Sequence, residues 1–482
     1  MRNQMNRALV GAAAIVLAVG VLSMGGCDRL KNELLAPQNP GLVDQGAVGS
    51  AAAAAALKIG AIGRLKVLAN DRLATGFGWS SLWIAEALFT DEFSNSDFQN
   101  SQNDVDARTI SPDNVASDYS RITQSRGFIR DAIVAEKQYE PQKTVDIGEL
   151  YLGLAFLEMS LAEDFCNGIP LGSSSQGVVD YSKPDFKPLT NQEVYAVALL
   201  HVDSALTTLG TATDAATTFV RQAALITKAR ILIDQNRSQI GTAAGVVSPS
   251  VVPSTYQYLW TTSTSLNTDD IGIWQFNNSI GRVTVGDSAI VYSGKTFQTL
   301  NAVPFASAKD PRVPVLVGKT AGLSSEDGLT PFFLQQIWKN RDDPVAMVSG
   351  IDARLIEAEA ALNAGITSGD FSAMMSILNA LRTVPPKIGT YQPTAMTPLP
   401  NPATSDDAIS LFFREKAFWT FGRGQRLGDL RRLVRQYGRT QDKVFPSGQQ
   451  YKGVPYGSDV NLPVPDGERV NPQFSGCLDR KA

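Results

Sequence analysis

Histidine is almost absent from this chain, and its scarcity narrows the chemistry that the protein can perform. Among 482 residues the only histidine is His201. Histidine is the side chain that titrates near neutral pH and the commonest metal ligand, so its absence elsewhere argues against His-based triads and His-rich metal sites. The single histidine also removes most general-base schemes. Our prediction for the chain as a whole is no catalytic residues, no metal site and no cofactor. The sequence is compatible with a structural calcium ion, but it contains no pattern that indicates a calcium site.

Long hydrophobic runs and blocks of positive charge are also scarce. Only the run from residue 8 to residue 22 stands out, and no later run reaches the roughly 20 apolar residues of a membrane helix. Lys/Arg-rich blocks are missing apart from Arg431-Arg432, so we expect no nucleic-acid partner. The 43% hydrophobic and 19% charged content is typical of a folded globular domain.

The N-terminus carries the pattern of an export signal. Arg2 and Arg7 precede the apolar run, which ends at Ser23-Met24-Gly25-Gly26-Cys27. A basic start, a short apolar stretch and small residues before a cleavage site describe a secretory signal. Small residues before a cysteine also resemble a bacterial lipobox, although Met24 stands where Leu is usual. We predict that residues 1–26 are removed and that Cys27 is acylated, which makes the lipid the only membrane attachment. An ordinary signal peptide with an incidental cysteine is the alternative.

Two cysteines remain after Cys27. In an oxidising cell envelope, Cys166 and Cys477 can pair and close a loop of about 310 residues. Two separate buried thiols are the alternative, and the sequence leaves both open.

Helical periodicity dominates two parts of the chain. Apolar residues recur at helical spacing over 146–163, 190–209 and 218–234, and again over 351–362 and 371–382. Consecutive helices of this length joined by short turns favour a mainly α fold, with tetratricopeptide-like helix pairs forming a right-handed superhelical scaffold. No strict 34-residue repeat accompanies them.

The residues after the predicted signal are predicted to form one domain, 27–482, with four parts. We predict an N-terminal helical part over 43–240 and a C-terminal helical part over 346–440. Between them, residues 241–345 are rich in Gly, Ser, Thr and Asn, which predicts a loop-rich insertion with short strands. Residues 441–482, rich in Gly and Pro, are predicted to be extended chain over the helices. We refer to residues 241–345 as the insertion.

The stretch from Thr404 to Tyr437 carries a family resemblance. It places Arg414-Glu415 on a helix, breaks at Gly422 and Gly424, and continues as Arg426-Leu-Gly-Asp-Leu-Arg-Arg. This order resembles the C-terminal signature of the SusD/RagB family of outer-membrane nutrient-binding lipoproteins. Further similar segments follow the family's order: Arg354 to Asn363, Asp310-Pro-Arg312, Leu154 to Leu171, Leu462-Pro-Val-Pro465 and Asn471-Pro472.

The resemblance implies a function as well as a fold. Such proteins are lipid-anchored in the outer membrane, face the cell exterior, and deliver oligosaccharides, peptides or other polymer fragments to a SusC-type TonB-dependent transporter. Glycan is the family's commonest ligand class, so we expect an oligosaccharide. The chain departs from the family at Gly424-Gln425, where His or Lys usually follows the glycine, and at Cys166. The insertion aligns with no segment of the family, so the resemblance does not identify the ligand.

Four charged residues of the signature form a predicted structural cluster. Arg414, Glu415, Arg426 and Asp429 can neutralise one another and clamp one helix against the next. A carboxylate-driven active site is the alternative, but a mutually neutralising set suits a clamp better than a tuned acid and base.

Saccharide binding needs flat apolar rings and polar groups, and loops of this chain offer both. The loop after Phe89 mixes aromatics with amides, and in the family a loop in this part joins the insertion to form the pocket. For any single Trp, burial in the core is an equally good interpretation. The predicted ligand-binding residues are Phe98, Asn100, Trp260, Trp274, Tyr292 and Trp338.

Two other classes of function remain as alternatives. An envelope glycoside hydrolase needs a pair of carboxylates, which Asp91, Glu92 and Asp97 could supply. A helical-repeat scaffold that binds protein needs exposed apolar grooves along the helix pairs.

Overall fold

The computed structural model describes residues 49–70, 81–172, 179–264 and 270–482. The predicted signal segment 1–26 and the predicted lipidation site Cys27 lie outside the described residues. Within the described residues, no helix is both long enough and apolar enough to cross a membrane.

Helices account for most of the regular structure in the described residues. They occupy the spans in which apolar residues recur with helical periodicity, and the mainly α prediction is confirmed. The α-helices are α1 (Ala51–Arg64), α2 (Leu82–Phe89), α3 (Asn100–Asp106), α4 (Ala116–Tyr139), α5 (Thr144–Asp164), α6 (Asn191–Leu209), α7 (Ala215–Gln235), α8 (Ile240–Val246), α9 (Gly350–Ser368), α10 (Ser372–Thr383), α11 (Ser405–Thr420) and α12 (Arg426–Arg435).

Side-chain caps fix where several of these helices begin. At the start of α6, the Thr190 hydroxyl accepts the Glu193 N–H at 3.2 Å. The Glu193 carboxylate accepts the Thr190 N–H at 2.8 Å in return, which completes a capping box. At the start of α11, the Thr404 hydroxyl accepts the Asp407 N–H at 3.1 Å. Each cap satisfies backbone N–H groups that the first helical turn leaves unpaired.

The helices pack as consecutive pairs. Contacts run from α4 to α5, α5 to α6, α6 to α7, α7 to α8, α8 to α9 and α9 to α10, while α1 packs on α4 and α5. We call α1 and α4–α10 the helix array. A glycine lets α5 and α6 approach closely, since a Cβ at Gly148 would lie 2.7 Å from the Leu209 Cγ. The tetratricopeptide-like pairing is thereby confirmed.

Short antiparallel strands form the β-structure of the described residues. Most of them lie in the insertion, and β1 pairs with β3, β2 with β8, β6 with β7, and β5 with both β4 and β9. The β1–β3 pairing brings the chain that follows residue 95 against the insertion. The strands are β1 (Phe93–Asn95), β2 (Gln257–Trp260), β3 (Val283–Val285), β4 (Ala289–Tyr292), β5 (Lys295–Leu300), β6 (Val315–Val317), β7 (Phe333–Gln335), β8 (Val345–Ser349) and β9 (Ser447–Gly448).

The C-terminal segment lies over the end of α5 and is joined to it covalently. Cys166 and Cys477 form a disulfide, with their Cα atoms 5.8 Å apart. The Cys166 N–H donates to the Leu462 carbonyl at 2.8 Å, and the Leu462 N–H donates to the Asp164 carbonyl at 2.8 Å. Of the two alternatives for these cysteines, the structure therefore shows the bridge.

Candidate ligand-binding site

Four chain segments meet beside the start of α3, and we call their meeting point the loop junction (residues 95–106, 281–285, 325–330 and 450–452). Backbone hydrogen bonds join three of them. The Ser96 N–H donates to the Arg282 carbonyl at 2.9 Å, and the Asp327 N–H donates to the Ser96 carbonyl at 3.0 Å. The Glu326 N–H donates to the Gly281 carbonyl at 2.9 Å. The junction therefore links the loop before α3 to two segments of the insertion.

Balanced charges close the loop junction. The Lys452 ammonium donates to the Asp97 carbonyl at 2.5 Å and lies 3.2 Å from Asp327 Oδ2. The Arg282 Nε lies 3.4 Å from Asp97 Oδ2. Although burial opposes it, hydrogen bonds from Thr330 and the charge of Lys452 hold the pKa of Asp327 below its usual value. Two cations and two carboxylates thus compensate one another and fix the loops.

Phe98 is the most exposed aromatic side chain of the loop junction. Its ring is 68% exposed, while the preceding Asp97 is 2% exposed. The Phe98 N–H donates to Asp97 Oδ1 at 2.5 Å, which fixes the backbone below the exposed ring. Asn100 is also exposed, at the first position of α3. An apolar ring beside a free amide is the combination that saccharide recognition uses.

Tyr292 reaches the loop junction from the end of β4. It is half-buried, and its ring packs edge-on against Tyr451 with the ring centroids 5.5 Å apart. Tyr451 directly precedes Lys452, so Tyr292 lies near the segment that contacts residues 95–106, which we call the Phe98 loop. The structure therefore brings Phe98, Asn100 and Tyr292 to one region of the molecule.

Trp274 stays a prediction. It begins a π-helical turn, Trp274–Ser279, and its half-buried side chain packs against the hydrophobic core. The turn is attached to β7, since the Asn278 side-chain amide donates to the Gln335 carbonyl at 3.0 Å.

The prediction that Trp260 and Trp338 contact the ligand is wrong. Trp260 is 4% exposed and stacks on Trp83 with the ring centroids 5.3 Å apart. Trp338 is 1% exposed and belongs to the same core. Neither ring presents a face to a ligand in this structure, because both bury their large apolar area between the strands and the helices. For these two residues the other interpretation, burial in the core, is correct.

Exposed apolar side chains concentrate in and beside the insertion. The helix array has a few, such as Ile59, Val134 and Leu200, distributed over different helices. This distribution favours the insertion over the helix pairs as the face that contacts other molecules. The exposed large apolar residues of the insertion are Val251, Val291, Leu300, Leu316, Val317, Leu323 and Leu329.

The predicted cluster of Arg414, Glu415, Arg426 and Asp429 differs in the structure, both in which residues belong to it and in how they pair. Glu415 is buried and lies 2.7 Å from the Arg312 Nη1 and 3.0 Å from the Arg382 Nη1. Asp429 forms its short ion pair with Lys416, at 2.6 Å, while its charge also acts on the buried Arg426. Arg414 is exposed, with its guanidinium 5.4 Å from the centre of the Phe418 ring. The cluster does clamp helices, but through partners that the sequence did not indicate.

Around this signature lies a larger buried ion network. Burial opposes ionisation here, and it raises the pKa of Glu92 to about 8 despite the nearby Arg426. Burial likewise raises the pKa of Asp164 to about 7 despite the nearby Arg431. The network comprises nine carboxyl groups, Glu86, Asp91, Glu92, Glu163, Asp164, Asp234, Asp352, Glu359 and Asp429, and six cations, Arg230, Lys416, Arg423, Arg426, Arg431 and Arg432.

A cavity of about 10 Å³ lies within this network, lined among others by Glu163, Arg230, Asp234, Lys416 and Asp429. A single water molecule needs roughly 10–15 Å³, so this cavity cannot hold an oligosaccharide. Its charges are engaged with one another, as in the Arg230–Glu163 pair at 2.8 Å. We interpret it as part of the structural network.

The carboxylates of the hydrolase alternative are buried. Asp91, Glu92 and Asp97 are 1%, 0% and 2% exposed, respectively. A glycosidase needs both carboxylates beside a bound sugar, which these positions do not allow. The described residues also contain no group of three or more His, Cys, Asp or Glu side chains arranged to hold a metal ion.

Comparison with known proteins identifies the fold through structure alone. No family model matches the sequence, and no curated protein matches it. A laminarin-binding SusD-like protein shares 15% identity with a TM-score of 0.57, over 89% of this chain and 99% of the other.

Two further solved structures agree. Surface glycan-binding protein A from Bacteroides uniformis shares 14% identity with a TM-score of 0.59, over 88% of this chain and 98% of the other. A SusD-like carbohydrate-binding protein from Bacteroides fragilis shares 13% identity with a TM-score of 0.60, over 89% and 99%. With its paired helices and strand-containing insertion, the chain has a SusD-like fold.

Proposed function

We propose that this protein is an outer-membrane lipoprotein that captures oligosaccharides and delivers them to a SusC-type TonB-dependent transporter. The observation that carries the proposal is the exposed Phe98 ring on the rigid loop junction, with Asn100 and Tyr292 nearby. The solved structures of similar fold support the ligand class, because two of them are described as carbohydrate- or glycan-binding and one as laminarin-binding.

The chemistry of the loop junction suits a neutral sugar. A pyranose ring presents an apolar C–H face, which can stack on Phe98, and hydroxyl groups that pair with amides such as Asn100. The buried ions beneath the ring already have partners, as in Arg282 with Asp97 and Lys452 with Asp327. Recognition therefore rests on stacking and hydrogen bonds rather than on an unpaired charge.

Phe98→Ala should weaken oligosaccharide binding by about tenfold, since a tenfold change corresponds to about 1.4 kcal/mol, the size expected for losing one aromatic stacking partner. The measurement is a glycan array on the mature protein, followed by calorimetric titration of the hits. Leu200→Ala is the control, because Leu200 is 67% exposed on α6 of the helix array, much as Phe98 is at the loop junction. Equal losses in both variants, or no loss in Phe98→Ala, would contradict the proposed site.

Binding without hydrolysis is part of the proposal. It is supported by the burial of Asp91, Glu92 and Asp97, which leaves no exposed pair among the carboxylates considered for catalysis. Prolonged incubation of the mature protein with each bound oligosaccharide should leave the ligand's chromatographic profile unchanged. Shorter products, absent from a heat-denatured control, would favour the hydrolase alternative.

Attachment to the membrane should depend on Cys27. We expect Cys27→Ser to shift the exported protein from the membrane fraction to the soluble fraction, because acylation needs the thiol. The wild-type protein should carry the added lipid mass at its N-terminus after removal of residues 1–26. An unmodified wild-type N-terminus would favour the alternative of an ordinary signal peptide.

The transporter is the proposed receiver of the ligand. Leu316 and Val317, adjacent exposed apolar residues of β6, support a macromolecular contact at the insertion. Co-purification of a barrel transporter with the wild-type protein, weakened by Leu316→Asp and Val317→Asp, is the expected result.

A further inference from the structure

Lys452 connects parts of the chain that are far apart in sequence. It belongs to the C-terminal segment, yet its ammonium donates to the Asp97 carbonyl at the start of the Phe98 loop. The same ammonium lies 3.2 Å from Asp327 Oδ2 in the insertion. Asp97 and Lys452 are 355 positions apart. One side chain therefore joins the Phe98 loop, the insertion and the C-terminal segment.

The segment that carries Lys452 also holds the far end of the same loop. The Lys452 N–H donates to Gln450 Oε1 at 2.8 Å. The Gln450 side-chain amide donates to Asp106 Oδ2 at 3.0 Å, and Asp106 is the last residue of α3. The same Asp106 oxygen accepts the Asn95 N–H at 2.9 Å. Residues 450–452 thus contact the Phe98 loop at both of its ends.

The partners of Lys452 are themselves fixed. Asp327 accepts hydrogen bonds from the Leu329 and Thr330 N–H groups at 3.0 and 2.9 Å and from the Thr330 hydroxyl at 2.6 Å. Lys452 is only 15% exposed at its side chain, and Asp327 only 5%. A charge pair that is shielded from solvent and held by several hydrogen bonds restrains the loops more than an exposed pair does.

We propose that Lys452 is a positioning residue for the ligand site, which holds the Phe98 loop in its binding conformation without contacting the ligand. The ligand part of this inference rests on the proposed function. Ordering a loop residue on binding has a cost in conformational entropy, and a loop that is ordered in advance does not incur that cost. Losing the bridge should therefore weaken binding although every ligand-contacting side chain remains.

Hydrogen–deuterium exchange of the full mature protein tests the positioning role without a ligand. In Lys452→Met, we expect faster amide exchange over 96–104 and 325–330, with the helix array unchanged. Lys452→Arg, which keeps the charge, should restore slow exchange. Lys228→Met is the control, because Lys228 pairs with Asp203 at 2.7 Å on the helix array, where the two side chains are more exposed, at 26% and 46%.

The second measurement is binding affinity. The probe is laminarin oligosaccharide first, or a glycan that the wild-type protein binds on the array. Lys452→Met should lose about fivefold in affinity, with Lys452→Arg close to wild type. Unchanged exchange in the Phe98 loop overturns the proposal, and so does faster exchange with unchanged affinity. If Lys452→Met does not fold, Asp327→Asn weakens the same bridge and must give the same local exchange.

The proposed function and the positioning role of Lys452 can be overturned independently of each other. If no glycan binds the wild-type protein, the proposed function fails, while the exchange data still decide whether Lys452 orders the loop. If glycans bind and Phe98→Ala weakens them but Lys452→Met does not, the function stands and the positioning role is overturned.

Discussion

Reduction of the Cys166–Cys477 disulfide should lower the free energy of unfolding by about 5 kcal/mol. The bridge joins residues 311 positions apart, so it restrains the unfolded chain over most of its length. It also holds the C-terminal segment against the end of α5, next to the Asn167–Asp479 hydrogen bond of 3.0 Å. The expected result is a large loss of stability with an unchanged fold.

Urea unfolding of the oxidised and the fully reduced protein measures this effect, because reduction keeps both sulfur atoms and creates no cavity. Cys477→Ala is the companion variant, since Cys477 is the less buried of the two cysteines. Both should show a lower midpoint. A difference below about 1 kcal/mol between the oxidised and reduced proteins would show that the chain-entropy account does not apply here.

Stability should also fall by about 5 kcal/mol as the pH rises from 5 to 7. Burial raises the pKa of Glu92 to about 8 and that of Asp164 to about 7, so both are protonated in the folded protein at pH 5. In the unfolded chain these groups ionise near pH 4. The folded state therefore binds more protons than the unfolded state, and each group costs about 1.4 kcal/mol per pH unit within this window.

Other buried carboxyl groups add to the loss of stability at higher pH, while carboxyl groups with a lowered pKa reduce stability in acid. Burial raises the pKa of Glu86 and Glu163 well above their usual values, which adds to the loss at higher pH. Although burial opposes it, Arg423 holds the pKa of Asp352 below its usual value, and Arg432 does the same for Glu359. Their contribution is lost as the pH falls through these lowered values. Maximum stability should therefore lie near pH 5.

Urea unfolding at half-unit pH intervals gives the slope directly. Glu92→Gln should flatten the decline between pH 5 and pH 7, because a neutral amide no longer releases a proton on unfolding. Asp442→Asn is the control, since Asp442 is exposed and lies outside the network. A stability that rises from pH 5 to pH 7, or an equal slope in Glu92→Gln, would contradict the account of the buried ion network.

The composition of this network supports the same conclusion from charge alone. Nine carboxyls and six cations share a buried region, so full ionisation would leave three uncompensated negative charges. Uncompensated charge in a low-dielectric interior costs several kcal/mol per ion. Protonation of some carboxyls removes that cost, which explains why the protein should favour mildly acidic conditions.

The helices could be predicted from the sequence because their signals are local. Leu154, Leu157 and Leu161 recur on one helical face, and all three are buried in α5. Capping boxes such as Thr190 with Glu193 fix helix starts through residues three positions apart. The family signature added the overall order of the elements, and the SusD-like fold agrees with it.

The site residues depended on burial and distant partners, which local patterns do not give. The position of Trp260 in the insertion predicts a ligand contact, but Tyr258 and Trp260 lie two residues apart on one face of β2 and are both buried. That alternation is a signal that could have placed Trp260 in the core. No sequence pattern connects Lys452 with Asp97 or Arg312 with Glu415, since their pairing arises only when distant segments fold together.

A crystal structure of the mature protein with a bound glycan hit tests the central claim most directly. We predict a sugar ring stacked on Phe98 at the loop junction, with its hydroxyls within hydrogen-bond distance of Asn100 or Tyr292. A glycan bound along the helix array, with the Phe98 ring still free, would contradict the claim that the loop junction captures the ligand.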